Sequence, residues 1–286
     1  RGLVAEGVLV KDVLTHKDVG QEEIVFIAYE RLADHLIAKF LLDKHLDVQA
    51  PEAAFAQHAP LGFLHDSKHY VSPGLLEALC VQIAERTGQE LLELAPVLKD
   101  RWNIGEAFRQ SLIWRDPKAF SDTTGKILND LIRTEHDLHE TLDVLLTVAI
   151  LAEHPFNANF LDQRLRRDSM PDRDAWWSIY LHYSWGSQGA VDRLVDWAST
   201  VTSNDTLDDE VIDLCATTLA WMLTTSNRFL RDRATKALVS LLTGRLDAVI
   251  RLVERFADVD DPYVAERVYA VAYGTVDRHA DVALEL

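Results

Sequence analysis

Six consecutive residues, Glu135-His136-Asp137-Leu138-His139-Glu140, hold the densest chemistry in this chain. On a helix His136, His139 and Glu140 fall within one turn on adjoining faces, so two imidazoles and a carboxylate could grip one metal ion. Their order is neither the His-Glu-x-x-His of zinc proteases nor its inverse. The spacing favours a plainer reading, a polar helix junction with an acid near the next helix start. His65-Asp66 and His136-Asp137 also carry the adjacent pair used by helical metal-dependent phosphohydrolases, with His45 and Asp100 as the available further ligands. No spacing ties those four positions together, so a helical metal-dependent hydrolase is the least favoured function.

Nucleotide chemistry is tested at Thr124-Gly125-Lys126, which has a superficial likeness to a phosphate loop. The full motif needs glycine where Phe120 stands and a hydroxyl residue where Ile127 stands. Without them the backbone cannot wrap a phosphate or present a hydroxyl to magnesium. Cys80 and Cys215 sit in apolar helical patterns without metal-ligand neighbours, and read as small buried hydrophobes in a reducing compartment. Trp176, Trp177, Trp185, Trp197 and Trp221 crowd the middle third. Most should fill gaps between helices, but the neighbours Trp176 and Trp177 cannot both point inward, which makes the outer one a candidate protein-binding residue.

Helices must position these groups. The chain has 286 residues, enough for a sizeable core, yet only 12 glycines and 8 prolines, a scarcity that favours long helices over many tight turns. Val8-Leu9-Val10 and Ile24-Val25-Phe26-Ile27 predict a β-hairpin, followed by a helix with Leu32, Leu36, Ile37 and Phe40 on one stripe. From Pro51 onward apolar residues recur at three- and four-residue steps. They predict helices near 73–86, 89–99, 103–114, 124–134, 138–153, 173–183, 188–200, 208–224, 229–242, 246–257 and 262–275. Thr87-Gly88, Asp116-Pro117, His154-Pro155 and Gly244 divide them. Arg231-Asp232-Arg233-Ala234-Thr235-Lys236-Ala237-Leu238 is echoed 34 positions later by Ala265-Glu266-Arg267-Val268-Tyr269-Ala270-Val271-Ala272. That spacing suits a two-helix repeat of the HEAT type. The expected fold is therefore all-α: a winged-helix-like remnant over residues 1–50, then an α-solenoid of HEAT-like helical hairpins over 51–286.

Charge narrows the partners. With 46 acidic and 29 basic side chains the net charge is -17, which repels nucleic-acid phosphates and favours a protein with a basic surface. The densest basic run, Arg164-Leu165-Arg166-Arg167, reads as a solvated helix end. The longest apolar run, Val144–Ala152, is too short to cross a bilayer. No signal peptide is visible, so the expected location is the cytoplasm. Arg1-Gly2-Leu3 opens without methionine, which suggests a trimmed leader or a piece of a longer chain.

The stretch Ile27-Ala28-Tyr29-Glu30-Arg31-Leu32-Ala33-Asp34-His35-Leu36-Ile37-Ala38 resembles the end of the winged-helix subdomain in STAND-class, NACHT-like signalling ATPases. Tyr29 stands where that class often has a nucleotide-sensing histidine, Leu32 where it has phenylalanine, and Asp34 where it has glutamate. His154-Pro155-Phe156-Asn157-Ala158, Met170–Trp177, Asn227–Leu238 and Asp261-Pro262-Tyr263-Val264 are similar to helical regions that follow the ATPase core, some in antiviral defence proteins. The resemblance implies an ATPase module upstream, with ATP and magnesium bound there and no cofactor in this chain. It also implies repeats that detect a trigger, and oligomerisation through the parent protein. A free-standing HEAT-like adaptor is the alternative.

Overall fold

The computed structural model describes residues 2–16, 20–66, 70–201 and 206–284. Apart from one two-stranded hairpin its regular structure is helical, so the fold is all-α as the periodicity predicts. Two compact units emerge, Arg1–Asp137 and Leu138–Leu286.

The first unit opens with α1 (Gly2–Ala5) and the predicted hairpin, β1 (Leu9–His16) and β2 (Gly20–Ile27). The strands pair antiparallel from Leu9↔Ile27 to His16↔Gly20. Next come α2 (Glu30–His45), α3 (Pro73–Thr87), α4 (Leu91–Leu94), α5 (Ile104–Trp114) and α6 (Asp122–Asp130). Helix α3 is the centre of this unit, packed by α2 on one side and α5 on another. Six consecutive side chains, Leu76 to Val81, are buried along it, because a helix enclosed by neighbours has no solvent face. Its ends follow local rules. The Ser72 hydroxyl accepts the Leu75 N–H at 3.1 Å, Pro73 occupies the first turn, and Gly88 closes the helix at φ +70°.

One predicted helix is broken. The 89–99 segment divides into α4 and a 3₁₀ turn, Pro96–Asp100. Pro96 lacks an N–H and its ring forces the preceding residue out of the helical region, leaving Ala95 at φ -133°, ψ 69°. The start of α4, at its N-cap Glu90, is stabilised from within by an ion pair that sequence reading did not find. The Arg115 guanidinium donates to both Glu90 oxygens, at 2.7 and 2.8 Å, and to the Ser111 hydroxyl at 2.8 Å. The Thr124 hydroxyl donates to the same carboxylate, and the rings of Phe108 and Phe120 flank the guanidinium. Thr124-Gly125-Lys126 thus lies inside α6, whose first turn is capped by Ser121 and Thr124, and forms no loop.

Helix α7 (Glu135–Val148) leads into the second unit. There α8 (Ala158–Arg167), α9 (Met170–Arg173), a π-helical turn (Asp174–Ser178) and α10 (Ile179–Ser184) precede α11 (Ala190–Thr200), α12 (Asp209–Met222), α13 (Arg228–Leu242), α14 (Leu246–Phe256) and α15 (Pro262–Leu284). Helix α8 is missing from the periodic segments, although the basic run Arg164–Arg167 reads as a helix end and does close it. Asp162, Gln163, Arg164, Arg166 and Arg167 make its last turns polar, but Leu161 and Leu165, four apart, are both sealed and supply its inward stripe. Helix α12 is buried from Leu214 through Met222 and is packed by α8, α13 and α14.

The 34-residue echo has a structural counterpart. Asn227 caps α13 by accepting the N–H groups of Phe229 and Leu230, and Asp261 caps α15 by accepting those of Tyr263 and Val264. Leu230 matches Val264, Ala234 matches Val268 and Ala237 matches Val271; all six are buried. Helix α15 packs on both α13 and α14. The two copies share a cap, a spacing and an inward face.

Candidate functional site

Helix α2 turns an unexpected side inward. The predicted stripe, Leu32, Leu36, Ile37 and Phe40, lies in solvent, with Phe40 63% exposed. Asp34, Ala38 and Leu42 face the protein instead. Polar groups explain the choice. The Ser72 hydroxyl donates to the Asp34 carboxylate at 3.1 Å, Gln82 Nε2 donates to the His35 carbonyl at 2.8 Å, and Arg86 pairs with Asp43 at 2.8 Å. Arg31 lies over the Trp114 ring and pairs with Glu77 at 3.3 Å. Burial pushes the Glu77 carboxyl up, against the pull of Arg31. Gly74 permits the approach, since a Cβ there would stand 2.0 Å from Asp34 Oδ2.

The hairpin repeats this arrangement. Alternation puts Val10 and Phe26 on one face and Val13 and Val25 on the other, and all four are exposed. A two-stranded hairpin with water on both faces is marginal by itself. Strand β2 packs on α2, and Tyr29, exposed at the N-cap of α2, joins them. An apolar surface therefore runs from the hairpin through Tyr29 onto α2. Tyr29, the residue at the nucleotide-sensing position in the resemblance, makes no side-chain cap bond.

The tryptophan pair separates as its adjacency requires. Trp177 is wholly buried and donates from Nε1 to the Trp221 carbonyl at 3.0 Å, so it forms core and no binding surface. Trp176 is half-buried; its Nε1 donates to Asp168 at 2.8 Å and Arg164 lies over its ring. Only Trp176 remains open to a surface role. Around them the second unit holds another buried polar centre. Trp221 Nε1 donates to Asp162 at 2.7 Å, and Arg166 and Arg255 converge on the same carboxylate. The Arg164–Arg167 run is drawn into these contacts, and Leu165 within it is sealed.

The histidine-rich segment is structural where it is best defined. Asp137 caps the start of α7: its carboxylate accepts the Thr134 N–H and hydroxyl, at 3.0 and 2.8 Å, and pairs with Arg109 at 3.3 Å. Burial opposes the Asp137 charge, but these hydrogen bonds and Arg109 outweigh it and hold the pKa below the ordinary value. His136 is exposed, whereas the His139 ring packs edge-on against Tyr180 at 5.5 Å. Among the described residues no three His, Cys, Asp or Glu side chains come together as a metal site. Cys80 and Cys215 are both buried free thiols, as expected, and burial pushes Cys80 up to about 12 and Cys215 higher still. No helix among the described residues is long and apolar enough to cross a membrane. No protein family, curated protein or solved structure matches this chain.

Proposed function

We propose that this chain is a non-catalytic helical scaffold that docks on a protein through the apolar face of the hairpin and α2. One observation carries the reading: Leu32, Leu36, Ile37 and Phe40 keep a helical stripe that no element among the described residues covers, while the side carrying Asp34, Ala38 and Leu42 faces the protein and packs on α3. A stripe of this kind is the half-interface of a helix-in-groove or helix-on-sheet contact. The adjoining hairpin adds Val10 and Phe26 on one face and Val13 and Val25 on the other, with the Lys11–Glu23 ion pair and Asp12 among them as the polar margin.

The finer reading places the chain after the ATPase module of a STAND-type signalling protein, with the missing part of a winged-helix subdomain as the occupant of this face. Its support is the order of strand pair then helix, and the resemblance of Ile27–Ala38. In that setting the helices beyond residue 50 form a HEAT-like array that senses a basic protein partner, the cofactor belongs to the upstream module, and the location is the cytoplasm. The free-standing adaptor uses the same face for a separate chain.

Two measurements test this. The reading frame preceding Arg1 should encode a Gly-x-x-x-x-Gly-Lys-Ser/Thr loop; its absence removes the ATPase setting and leaves the adaptor. The segment it encodes, produced separately, should bind the wild-type chain and lose that binding when Leu36→Asp and Phe40→Asp are combined. Binding that survives the double substitution overturns the docking face itself.

A further inference from the structure

Three helices of the second unit stack in order, α11 on α13 and α13 on α15. The step between them repeats. Ser240 of α13 faces back, its hydroxyl 3.4 and 3.2 Å from the Ser199 and Val201 carbonyls at the end of α11. Gly274, 34 positions later, faces back in the same way, since a Cβ there would stand 3.5 Å from Val239 Cγ2 of α13. Val239 is thus half-buried under α15, and its neighbours one turn to either side, Thr235 and Leu242, are half-buried and sealed. The matching residues of α15 are Tyr269, Tyr273 and Val276, and they are 57, 76 and 54% exposed. Helix α15 packs on α12, α13 and α14, and no described element covers this side of it. The stack ends on an open face whose counterpart inside the chain is filled by a helix.

The residues of that face select which helix. From Val268 to Val276 there is no charged side chain, in a chain of net charge -17. Like charge opposes self-association over most of so acidic a surface, and the opposition is weakest on an uncharged helical run. Ala265 and Ala272 lie along one edge of the Tyr269–Tyr273–Val276 line and Ala270 along the other. A two-fold contact must fit itself, and large side chains beside small ones do so: in an antiparallel pair the rings of one helix settle on the alanines of the other. Tyrosine suits a face that is wet when empty, because its ring gains from burial while its hydroxyl stays at the edge. We infer that α15 pairs antiparallel with α15 of a second copy of this chain, through Tyr269, Tyr273 and Val276. The paired length, Pro262 to Val276, is about four turns. That buries less than the roughly 1,200 Å² of a standard stable interface, so the dimer is weak and concentration-dependent. The contact is separate from the α2 face, which belongs to the first unit.

Sedimentation equilibrium of the purified chain over roughly 1–500 µM should show a reversible monomer–dimer equilibrium. Tyr273→Ser should weaken it roughly tenfold, the scale of one lost interface anchor. Tyr269→Glu combined with Tyr273→Glu should abolish it. Both rings lie outside the core, so thermal unfolding at low concentration should match the wild type for each variant. Leu36→Asp with Phe40→Asp should leave the dimer intact, which separates this contact from the docking face on α2. A chain that stays monomeric through the whole range overturns the pairing. So does a dimer that survives the two glutamates, or one lost instead on substituting Leu36 and Phe40. Masses that keep growing past two copies also overturn it, because a two-fold contact between single helices closes at the dimer.

Discussion

Helix α2 and the pair α13 and α15 carry equally clear apolar periods, yet the structure uses them in opposite ways. In the pair, Leu230, Ala234 and Ala237 and their counterparts Val264, Val268 and Val271 are sealed against neighbouring helices. In α2 the stripe of Leu32, Leu36, Ile37 and Phe40 looks outward, and the buried positions are Asp34, Ala38 and Leu42. A helical period states that an apolar surface must be covered. It does not state which molecule covers it. Where the covering element belongs to the same unit the period reads as core, and where it does not the period reads as interface.

The contrast can be broken from either side. The largest effect belongs to the sealed charges: Arg115→Ala strands the buried Glu90 carboxylate, and chemical denaturation should register a loss of about 3–5 kcal/mol. Leu230→Ala and Leu238→Ala, both fully buried, should each cost about 2–5 kcal/mol by the same measurement. Losses below that range at both leucines would mean the repeat pair is no better packed than α2. Glu77, beneath α2, sharpens the difference through pH. Its folded pKa lies above the unfolded value, so ionising it costs stability above the unfolded pKa and the cost disappears as pH falls through the folded pKa. Urea midpoints should therefore rise on mild acidification in this window for the wild type, by more than in Glu77→Gln. The smallest change is expected at Phe40→Ser, within about 0.5 kcal/mol for the isolated chain. A loss near that of Leu230→Ala would show that the stripe is covered after all.

Much of the helical layout was legible because its signals are local. Gly88 ends α3, and Thr134 with Asp137 forms a cap that uses an acid first weighed as a metal ligand; Pro96 carried an equally local signal, but the helix predicted over 89–99 ran through it. The 34-residue echo was readable for the same reason, since cap and inward face recur at fixed offsets. Tertiary choices were not legible. Helix α8 has only two large apolar residues facing in, too few for a periodic signal among its arginines. Glu90 and Arg115 look like any surface charges until Thr124, Ser111 and two phenylalanine rings enclose them. Trp177 and Trp176 are the same residue type side by side, and only the position of the Trp221 carbonyl makes one of them core. The inward face of α2 was misread because Asp34, Ser72 and Gly74, distant in sequence, decide it together.

Gly74 is the point where a small chemical change has a separable outcome. A methyl group added there would stand 2.0 Å from Asp34 Oδ2 and turn the carboxylate whose other oxygen takes the Ser72 hydroxyl. The inner helix of this unit has its own cap and its own neighbours and does not depend on that carboxylate. Gly74→Ala would thus act on the Asp34 side chain alone, loosening one polar tie of α2 to its seat while leaving its outward chemistry untouched. A partner that needs the surface presented at a fixed angle would lose it; one that needs only the greasy helix would not.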